Sequence, residues 1–299
     1  MNQKKEPVYI IKNHFLRAKV SSLGAELVSL YDFSNSRELI WQGNADVWPC
    51  QAPVLFPLVG RLKTEEFTYE GKRYGIGIHG FARFMEFSLS EQTGDAVSFT
   101  LVSSAQTRKQ YPFDFEFTVR YSLDGSRLLK EHIVTNTSEG EMYYEVGGHE
   151  GYRLPLTAGE KMSDFYLVFP NKNALFPYVN NSDKMLLNQK HTVDLEGGRL
   201  FLHMDVFAND ALILDDEAGK VVELHGPKTG RILTVYFPDF KYLGVWTKYL
   251  PFDTNYVCIE PWSSLPDFLH LGHELTEKIG IRRLAPRQSE ILSYSVSVD

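Results

Sequence analysis

The sequence predicts an all-β protein, built as one large antiparallel β-sandwich. Three observations lead to this prediction. Apolar and polar residues alternate along several short segments, which is the pattern of half-buried strands. Turn residues separate these segments, whereas helix signals are scarce and the best of them, 273–279, is short. The chain also contains 20 Phe and 16 Tyr residues, and aromatic residues favour strands.

The first part of the chain alternates between strands and loops. Residues 8–31 contain apolar runs broken by Ser21-Ser22 and Gly24, which predicts two strands joined by a turn. Residues 41–57 are rich in Trp and Pro, so we expect a long packed loop there. Residues 67–74 have the pattern of a hairpin that turns at Glu70-Gly71-Lys72.

The middle of the chain gives the clearest strand signal. Alternating segments at 84–89 and 97–101 flank a turn at 93–95, and Phe113 begins a period-two apolar series that ends at Tyr121. Asp124-Gly125 then turns the chain into 128–134. Later strands are predicted at 211–214, 221–224, 232–237, 242–246, 256–259 and 291–298.

The composition and length fit one domain that spans residues 1–299. All-β architectures often exceed 200 residues as one unit, and the chain shows no repeat and no linker-like stretch. Hydrophobic residues make up 43% and charged residues 23%, which are ordinary globular values that allow a sizeable core.

Charge and cysteine content exclude several classes of protein. The net charge is -7 with both signs interspersed, so there is no basic stripe for nucleic acid or for a membrane surface. Residues 1–7 are polar and precede only a short apolar run, and we therefore expect neither a signal peptide nor a spanning helix. Cys50 and Cys258 are far apart in sequence. This suits the reducing cytoplasm and argues against a disulfide scaffold or a cysteine-based metal site.

Three common motifs are absent or rejected. Residues 75–80 match G-x-G-x-x-G, but the next segment alternates like a strand, whereas a dinucleotide fingerprint needs a helix there. No nucleophile elbow and no phosphate-cradling loop occurs. His270 and His273 could ligate a metal, but no third ligand is evident.

Two stretches carry candidate chemistry. His149 lies between Gly148 and Glu150 directly after an apolar run, and glycines beside a functional side chain indicate close approaches that a Cβ would block. Taken alone, this stretch favours the alternative of an ordinary turn whose histidine satisfies local hydrogen bonds.

Glu260 lies at the end of an apolar strand that Pro261 is expected to stop, so its carboxylate is partly desolvated and becomes a better base. The alternative is a glutamate paired with an arginine. Trp246 and Trp262 are candidates for stacking on a sugar, or for the core.

The chain resembles the aldose 1-epimerases, or galactose mutarotase-like proteins, and is most similar to their LacX-like bacterial branch. The resemblance covers nearly the whole chain, and the end of the chain, 284–290, resembles the family's closing turn and last strand. Its motifs occur in the family's order at 22–27, Gly60-Arg61, 79–83, Gly148-His149 and 258–262.

The resemblance implies a β-sandwich whose concave face binds a monosaccharide, and an isomerase that needs neither cofactor nor metal. By motif, Glu260 would be the general base that removes the proton of the anomeric hydroxyl. His149 would be the general acid that protonates the ring oxygen, and His79 would hydrogen-bond the sugar beside them. Arg61 would hold further hydroxyls. Histidine, with an unperturbed pKa of ~6.5, suits proton transfer at neutral pH.

Two departures leave the sugar open. The family's sugar-gripping aspartate has its nearest counterpart at 207–212, where either Asn209 or Asp210 would fill the role. His79 is followed by Gly-Phe-Ala-Arg, as it is in the related hexose-6-phosphate 1-epimerases. Arg83, with Arg61 and Lys63, could then bind a phosphate, although an ion pair at a strand start explains Arg83 equally well.

Four functions therefore compete. The first is a mutarotase for a free aldohexose such as galactose or glucose, and the second is a hexose-6-phosphate 1-epimerase. The third is a non-catalytic carbohydrate-binding sensor. The fourth, a glycosidase that uses Glu260 with Glu150 or Asp267, explains neither histidine motif. The expected partner is a monosaccharide or sugar phosphate, and the chain is a monomer or a homodimer.

Overall fold

The computed structural model describes residues 7–299. Residues 1–6, most of the polar start noted above, lie outside the described residues. Within 7–299 the regular elements are β-strands and short 3-10 helices, so the predicted all-β class is confirmed. None of these helices is long and apolar enough to cross a membrane.

The strands are short in most of the chain and long in its middle and at its end. The first twelve are β1 (Val8–Lys12), β2 (Leu16–Ser21), β3 (Leu27–Asp32), β4 (Arg37–Glu38), β5 (Glu66–Tyr69), β6 (Lys72–Gly75), β7 (Ser88–Gln92), β8 (Ala96–Val102), β9 (Phe115–Asp124), β10 (Arg127–Asn136), β11 (Met142–Tyr144) and β12 (Glu150–Arg153). The others are β13 (Tyr166–Val168), β14 (Ala174–Leu175), β15 (Tyr178–Asn180), β16 (Leu186–Lys190), β17 (Val193–Asp194), β18 (Arg199–Phe201), β19 (Leu212–Leu214), β20 (Val221–Gly226), β21 (Gly230–Tyr236), β22 (Tyr242–Trp246), β23 (Tyr256–Trp262), β24 (Arg282–Leu284) and β25 (Ser289–Val298).

The helices are single 3-10 turns at Lys63–Glu65, Ala82–Phe84, Thr107–Lys109, Met162–Asp164, Met204–Phe207, Asp216–Ala218 and Leu275–Glu277. The predicted helix at 273–279 is therefore wrong except for its central three residues. The cause is competition from a strand. The carbonyl of His273 accepts the Thr68 N–H of β5 at 2.7 Å, which holds the start of this segment extended.

Three antiparallel sheets carry most of the structure. The largest has nine strands in the order β18-β13-β20-β21-β25-β10-β9-β8-β7. A four-stranded sheet contains β1 to β4 in sequence order, and a second has the order β12-β23-β22-β19. We call this last one the site sheet. The sandwich is confirmed, and its second layer is divided between smaller sheets.

The layers meet on the inner face of the nine-stranded sheet. Alternate residues of β9 are buried, as its apolar period predicts. Phe117 of β9 stacks on Phe56 of the predicted loop at 41–57, with ring centroids 4.3 Å apart. Tyr294 of β25 donates a hydrogen bond to Glu150 of β12 at 2.5 Å. One buried apolar cluster runs from Ile11 to Val298. The single domain stays a prediction that this continuous core supports.

Two predicted strand boundaries are wrong for local reasons. Residues 8–31 form three strands, because the Asn13 side chain accepts the N–H groups of Phe15 and Leu16 and turns the chain between β1 and β2. The strand expected at 84–89 begins only at Ser88. The backbone before it pairs with the turn between β2 and β3, where the Gly24 N–H donates to the Met85 carbonyl at 2.8 Å.

Candidate active site

The register of the site sheet brings His149 and Glu260 together. Glu150 of β12 pairs with Ile259 of β23, so one step further along the antiparallel pair His149 lies opposite Glu260. Directly opposite residues point to the same face. Nε2 of His149 lies 3.2 Å from Oε2 of Glu260. Both side chains are buried, at 8% and 1% exposed.

Two local features allow this approach. Gly148 confirms the close contact that the sequence predicts, because a Cβ there would lie 2.0 Å from the Tyr294 hydroxyl oxygen. The expectation that Pro261 stops the strand is wrong, since β23 continues to Trp262. The Pro261 carbonyl accepts the Gly148 N–H at 3.0 Å. Pro261 has no backbone N–H, and an N–H at this position would point toward Gly148, which precedes β12. The proline therefore removes no hydrogen bond from the pairing of β12 with β23.

His79 approaches the pair from a loop with a strained backbone. Its φ is +65°, a left-handed conformation that is uncommon for a non-glycine residue and clusters at functional sites. Nδ1 of His79 accepts the Gly60 N–H at 3.0 Å, so a neutral ring carries its proton on Nε2. The ring centroid lies 5.3 Å from that of His149. His79 is therefore a hydrogen-bond donor beside the pair.

Aromatic rings form the walls around His149. Trp48 stacks on the imidazole at a centroid distance of 5.1 Å, and Trp246 meets it edge-on at 5.8 Å. Nε1 of Trp246 donates to Oδ1 of Asp210 at 2.9 Å, which fixes both side chains at the cavity. Flat apolar walls with a few polar groups are typical of small-molecule sites.

Burial shifts the acid–base properties of all three groups. It lowers the pKa of His149 to about 3 and lowers the pKa of His79 well below its usual value. Burial, followed by the charges of Asp210 and Glu150, raises the pKa of Glu260 well above its usual range. A low-dielectric site disfavours each charged form. The site therefore favours neutral imidazoles and a carboxyl that holds its proton.

Three cations line the same cavity without a carboxylate partner. Arg61, Arg83 and Lys184 form no ion pair within 4.0 Å among the described residues. The guanidinium of Arg83 lies over the Phe84 ring at 4.4 Å, which does not support the ion pair that the sequence left open. These side chains are available to an anionic or hydroxyl-rich ligand.

One cavity of about 200 Å³ gathers most of the predicted residues. It is smaller than the ~300 Å³ at which pockets for drug-sized ligands begin. Its lining includes the predicted residues Glu260, His149, His79, Arg61, Arg83, Asp210 and Trp246. Asn209 is exposed and lies instead on a neighbouring cavity of about 380 Å³.

Sequence reasoning missed several residues of this lining, among them the polar or aromatic Trp48, Asn180 and Lys184. Trp48 lies in the Trp- and Pro-rich loop, whose composition predicts packing but no role. Asn180 ends β15 and Lys184 follows it in the β15–β16 hairpin, where no motif marked them.

Glu150 and Asp267, the two possible carboxylate partners of a glycosidase, lie outside the cavity lining. Glu150 points to the opposite face of the site sheet, where it pairs with Lys130. Asp267 pairs with Lys278 at 3.3 Å.

One group of potential metal ligands includes the catalytic candidates. The donor atoms of His149, Cys258 and Glu260 all lie within 4.8 Å of one another. His270 and His273 belong to no such group among the described residues.

Comparisons with known proteins give a consistent family. The sequence model of the aldose 1-epimerase family matches residues 7–282. The chain is 32% identical over 298 residues to protein LacX, plasmid, of Lactococcus lactis subsp. lactis, which covers 96% of this chain and 98% of that protein.

Solved structures agree. A galactose mutarotase related enzyme from Lactobacillus acidophilus is 35% identical with a TM-score of 0.92, covering 98% of this chain and 97% of that one. A galactose mutarotase-like protein from Lactobacillus casei ATCC 334 is 27% identical with a TM-score of 0.89, covering 98% of this chain and all of that one.

Proposed function

Because the chain belongs to the aldose 1-epimerase family, we propose that it interconverts the α and β anomers of an aldohexose such as galactose or glucose. The reaction is acid–base opening and closure of the sugar ring. Glu260 is the base, His149 is the acid, and the sugar binds in the cavity of the site sheet. The reaction itself requires no cofactor. The free thiols of Cys50 and Cys258 suit a reducing cytoplasm.

The observation that carries the proposal is the 3.2 Å separation of His149 Nε2 and Glu260 Oε2. The anomeric hydroxyl and the ring oxygen are bonded to the same carbon. A base for one and an acid for the other must therefore be neighbours, within hydrogen-bond reach of a single sugar carbon. His149 and Glu260 satisfy this requirement because they lie directly opposite each other on neighbouring segments of a rigid sheet.

The pair carries one proton through the whole cycle. In the charged state Glu260 is a carboxylate and His149 an imidazolium. Glu260 then takes the proton of the anomeric hydroxyl, the bond from C1 to the ring oxygen breaks, and His149 gives its proton to that oxygen. The open aldehyde rotates about C1–C2, and the reverse transfers close the other anomer.

The pKa directions favour the neutral state of the pair that follows ring opening. Opening leaves Glu260 protonated and His149 neutral, which is the state that burial favours by raising the pKa of Glu260 and lowering that of His149 to about 3. The charged state therefore forms at a cost before opening, and opening returns the pair to its favoured neutral state.

The other lining residues position the sugar. His79 donates its Nε2–H to a sugar oxygen, because its Nδ1 is occupied by the Gly60 N–H. Asp210 accepts from sugar hydroxyls with its remaining lone pairs. We therefore assign the family's sugar-gripping role to Asp210 and not to Asn209.

The test is the mutarotation of freshly dissolved α-glucose and α-galactose, followed by polarimetry. Wild type is expected to exceed the spontaneous rate. Asp210→Ala should lower kcat/KM by at least about tenfold, the scale of one hydrogen bond to a charged group. Asn209→Ala is the matched control and should leave kcat/KM unchanged. Equal effects of the two variants would contradict the assignment.

The unpaired Arg61, Arg83 and Lys184 favour a second candidate, the same reaction on a hexose 6-phosphate. Guanidinium forks match phosphate oxygens. If the natural substrate is phosphorylated, Arg83→Met should lower kcat/KM for glucose 6-phosphate much more than for glucose. An equal loss on both sugars would leave the free aldohexose as the substrate.

A further inference from the structure

Cys258 lies beside the proposed acid and base and has no part in their chemistry. It is two residues from Glu260 on β23, so both side chains point to the same face. His149 completes the cluster from the neighbouring strand, and the three donor atoms lie within 4.8 Å of one another. Cys258 is fully buried and does not line the cavity.

One donor atom of this cluster, Oε2 of Glu260, is buried and has no hydrogen-bond partner among residues 7–299. It faces Nε2 of His149, the ring nitrogen on the side of the carboxylate. The 3.2 Å contact between the two side chains lacks the alignment of a hydrogen bond. Buried polar atoms are nearly always paired, so the unpaired carboxylate oxygen of Glu260 indicates a missing ligand.

We propose that His149, Cys258 and Glu260 form a binding site for one thiophilic divalent cation, of which Zn²⁺ is the prototype, and that the bound ion blocks the active site. Imidazole, thiolate and carboxylate are the three ligand types of Zn²⁺ in proteins. Three protein ligands leave a fourth tetrahedral position, in which water or a sugar oxygen would complete the shell.

The geometry requires little movement. Zinc–ligand bonds of about 2.0 Å to nitrogen or oxygen and 2.3 Å to sulfur place tetrahedral donor atoms about 3.3 to 3.6 Å apart. The contact between His149 and Glu260, at 3.2 Å, already has this spacing. The thiol must approach by about 1 Å or rotate about χ1, and its proton leaves to solvent because only the thiolate ligates.

The sequence argued against a cysteine-based site because the two cysteines are far apart. The structure supplies a different donor set, one cysteine with a histidine and a glutamate. Cys50, half-buried and outside this cluster, provides the matched control thiol.

The test is a titration of the metal-free chain with Co²⁺, whose thiolate complexes show a charge-transfer absorption. Wild type and Cys50→Ala should give this band with one ion per chain. Cys258→Ala should lose the band. It should also weaken Zn²⁺ binding, measured by calorimetry, by more than about 100-fold. Loss of a group that only supports a metal ligand weakens binding by up to about 100-fold, and loss of a ligand itself should cost more. Cys258→Ser, which is nearly isosteric, should also lose the band.

No thiolate band in wild type would overturn the site, and so would a band that survives in Cys258→Ala or disappears in Cys50→Ala. Binding needs no turnover, so this result stands whether or not the chain proves to be a mutarotase. The inhibitory part rests on the proposed function. Each variant's anomer-exchange rate is compared with and without Zn²⁺, and Cys258→Ala should lose the inhibition that wild type and Cys50→Ala show. Inhibition that persists in Cys258→Ala would refute this part.

Discussion

The buried ion pair behind the active site allows a prediction with a definite magnitude. Nζ of Lys130 lies 2.7 Å from Oε1 of Glu150, and the two side chains are 2% and 1% exposed. The ammonium also lies 5.3 Å and 5.6 Å from the ring centroids of Tyr121 and Tyr294. Replacing Lys130 with Met keeps a stem that packs against these rings and removes only the charge.

Removing one partner leaves the other charge buried and uncompensated, which costs about 3–5 kcal/mol. Unfolding entropy is about 2.1 cal/mol/K per residue, or about 0.6 kcal/mol/K for 299 residues. Lys130→Met is therefore expected to lower Tm by about 5–8 °C. The double variant Lys130→Met/Glu150→Gln removes both charges and keeps a hydrogen bond for Tyr294, so it should recover at least half of the loss.

The assay is thermal and urea-induced unfolding of the wild type, Lys130→Met, Glu150→Gln and the double variant, followed by circular dichroism. The control is Arg127→Met, which breaks an ion pair whose partners are 51% and 79% exposed and should cost less than about 1 kcal/mol. The reasoning is refuted if Lys130→Met costs no more than this control, or if the double variant is no more stable than Lys130→Met.

Two further predictions concern pH. The proposed pair must hold one proton, so activity should fall at alkaline pH as Glu260 loses its proton. Because the charge of Asp210 helps to raise the pKa of Glu260, Asp210→Asn should move this alkaline limb of kcat/KM to lower pH, and an unmoved limb would contradict the coupling. Burial lowers the pKa of His132 well below its usual value, so the unfolded state binds more protons below about pH 6.5 and folded stability is lost as pH falls. His132→Leu removes this loss. The Tm of the variant minus the Tm of wild type should therefore increase as the pH is lowered from about 7 to 5. A difference that stays constant over this range would refute the role of His132.

Local patterns predicted the class of the fold and the long strands. The alternation from Phe113 to Tyr121 gave both the strand and its buried face. Boundaries failed where a side chain or a distant backbone decided them, as Asn13 does between β1 and β2. The hydrophobic period of a segment does not reveal hydrogen bonds from side chains or from distant parts of the backbone.

The site, like the fold, could be predicted only in part from the sequence. The glycines around His149 and the acidic strand end at Glu260 marked candidate chemistry, and the family resemblance is confirmed. Their contact depends on the register of strands more than 100 residues apart, which no local pattern encodes. The neighbours Asn209 and Asp210 could not be distinguished from sequence, because the contact that places Asp210 at the cavity is a hydrogen bond from Trp246, a residue distant in sequence.

The central claim is that His149 and Glu260 exchange one proton with a sugar. Saturation-transfer NMR on glucose, galactose and their 6-phosphates measures anomer exchange directly, and sugar binding is measured in parallel. The account predicts exchange above the spontaneous rate on at least one of these sugars, abolished by both Glu260→Gln and His149→Ala. Glu260→Gln should still bind that sugar. Sugar binding by wild type without exchange on any of the four would contradict the account and indicate a non-catalytic carbohydrate sensor.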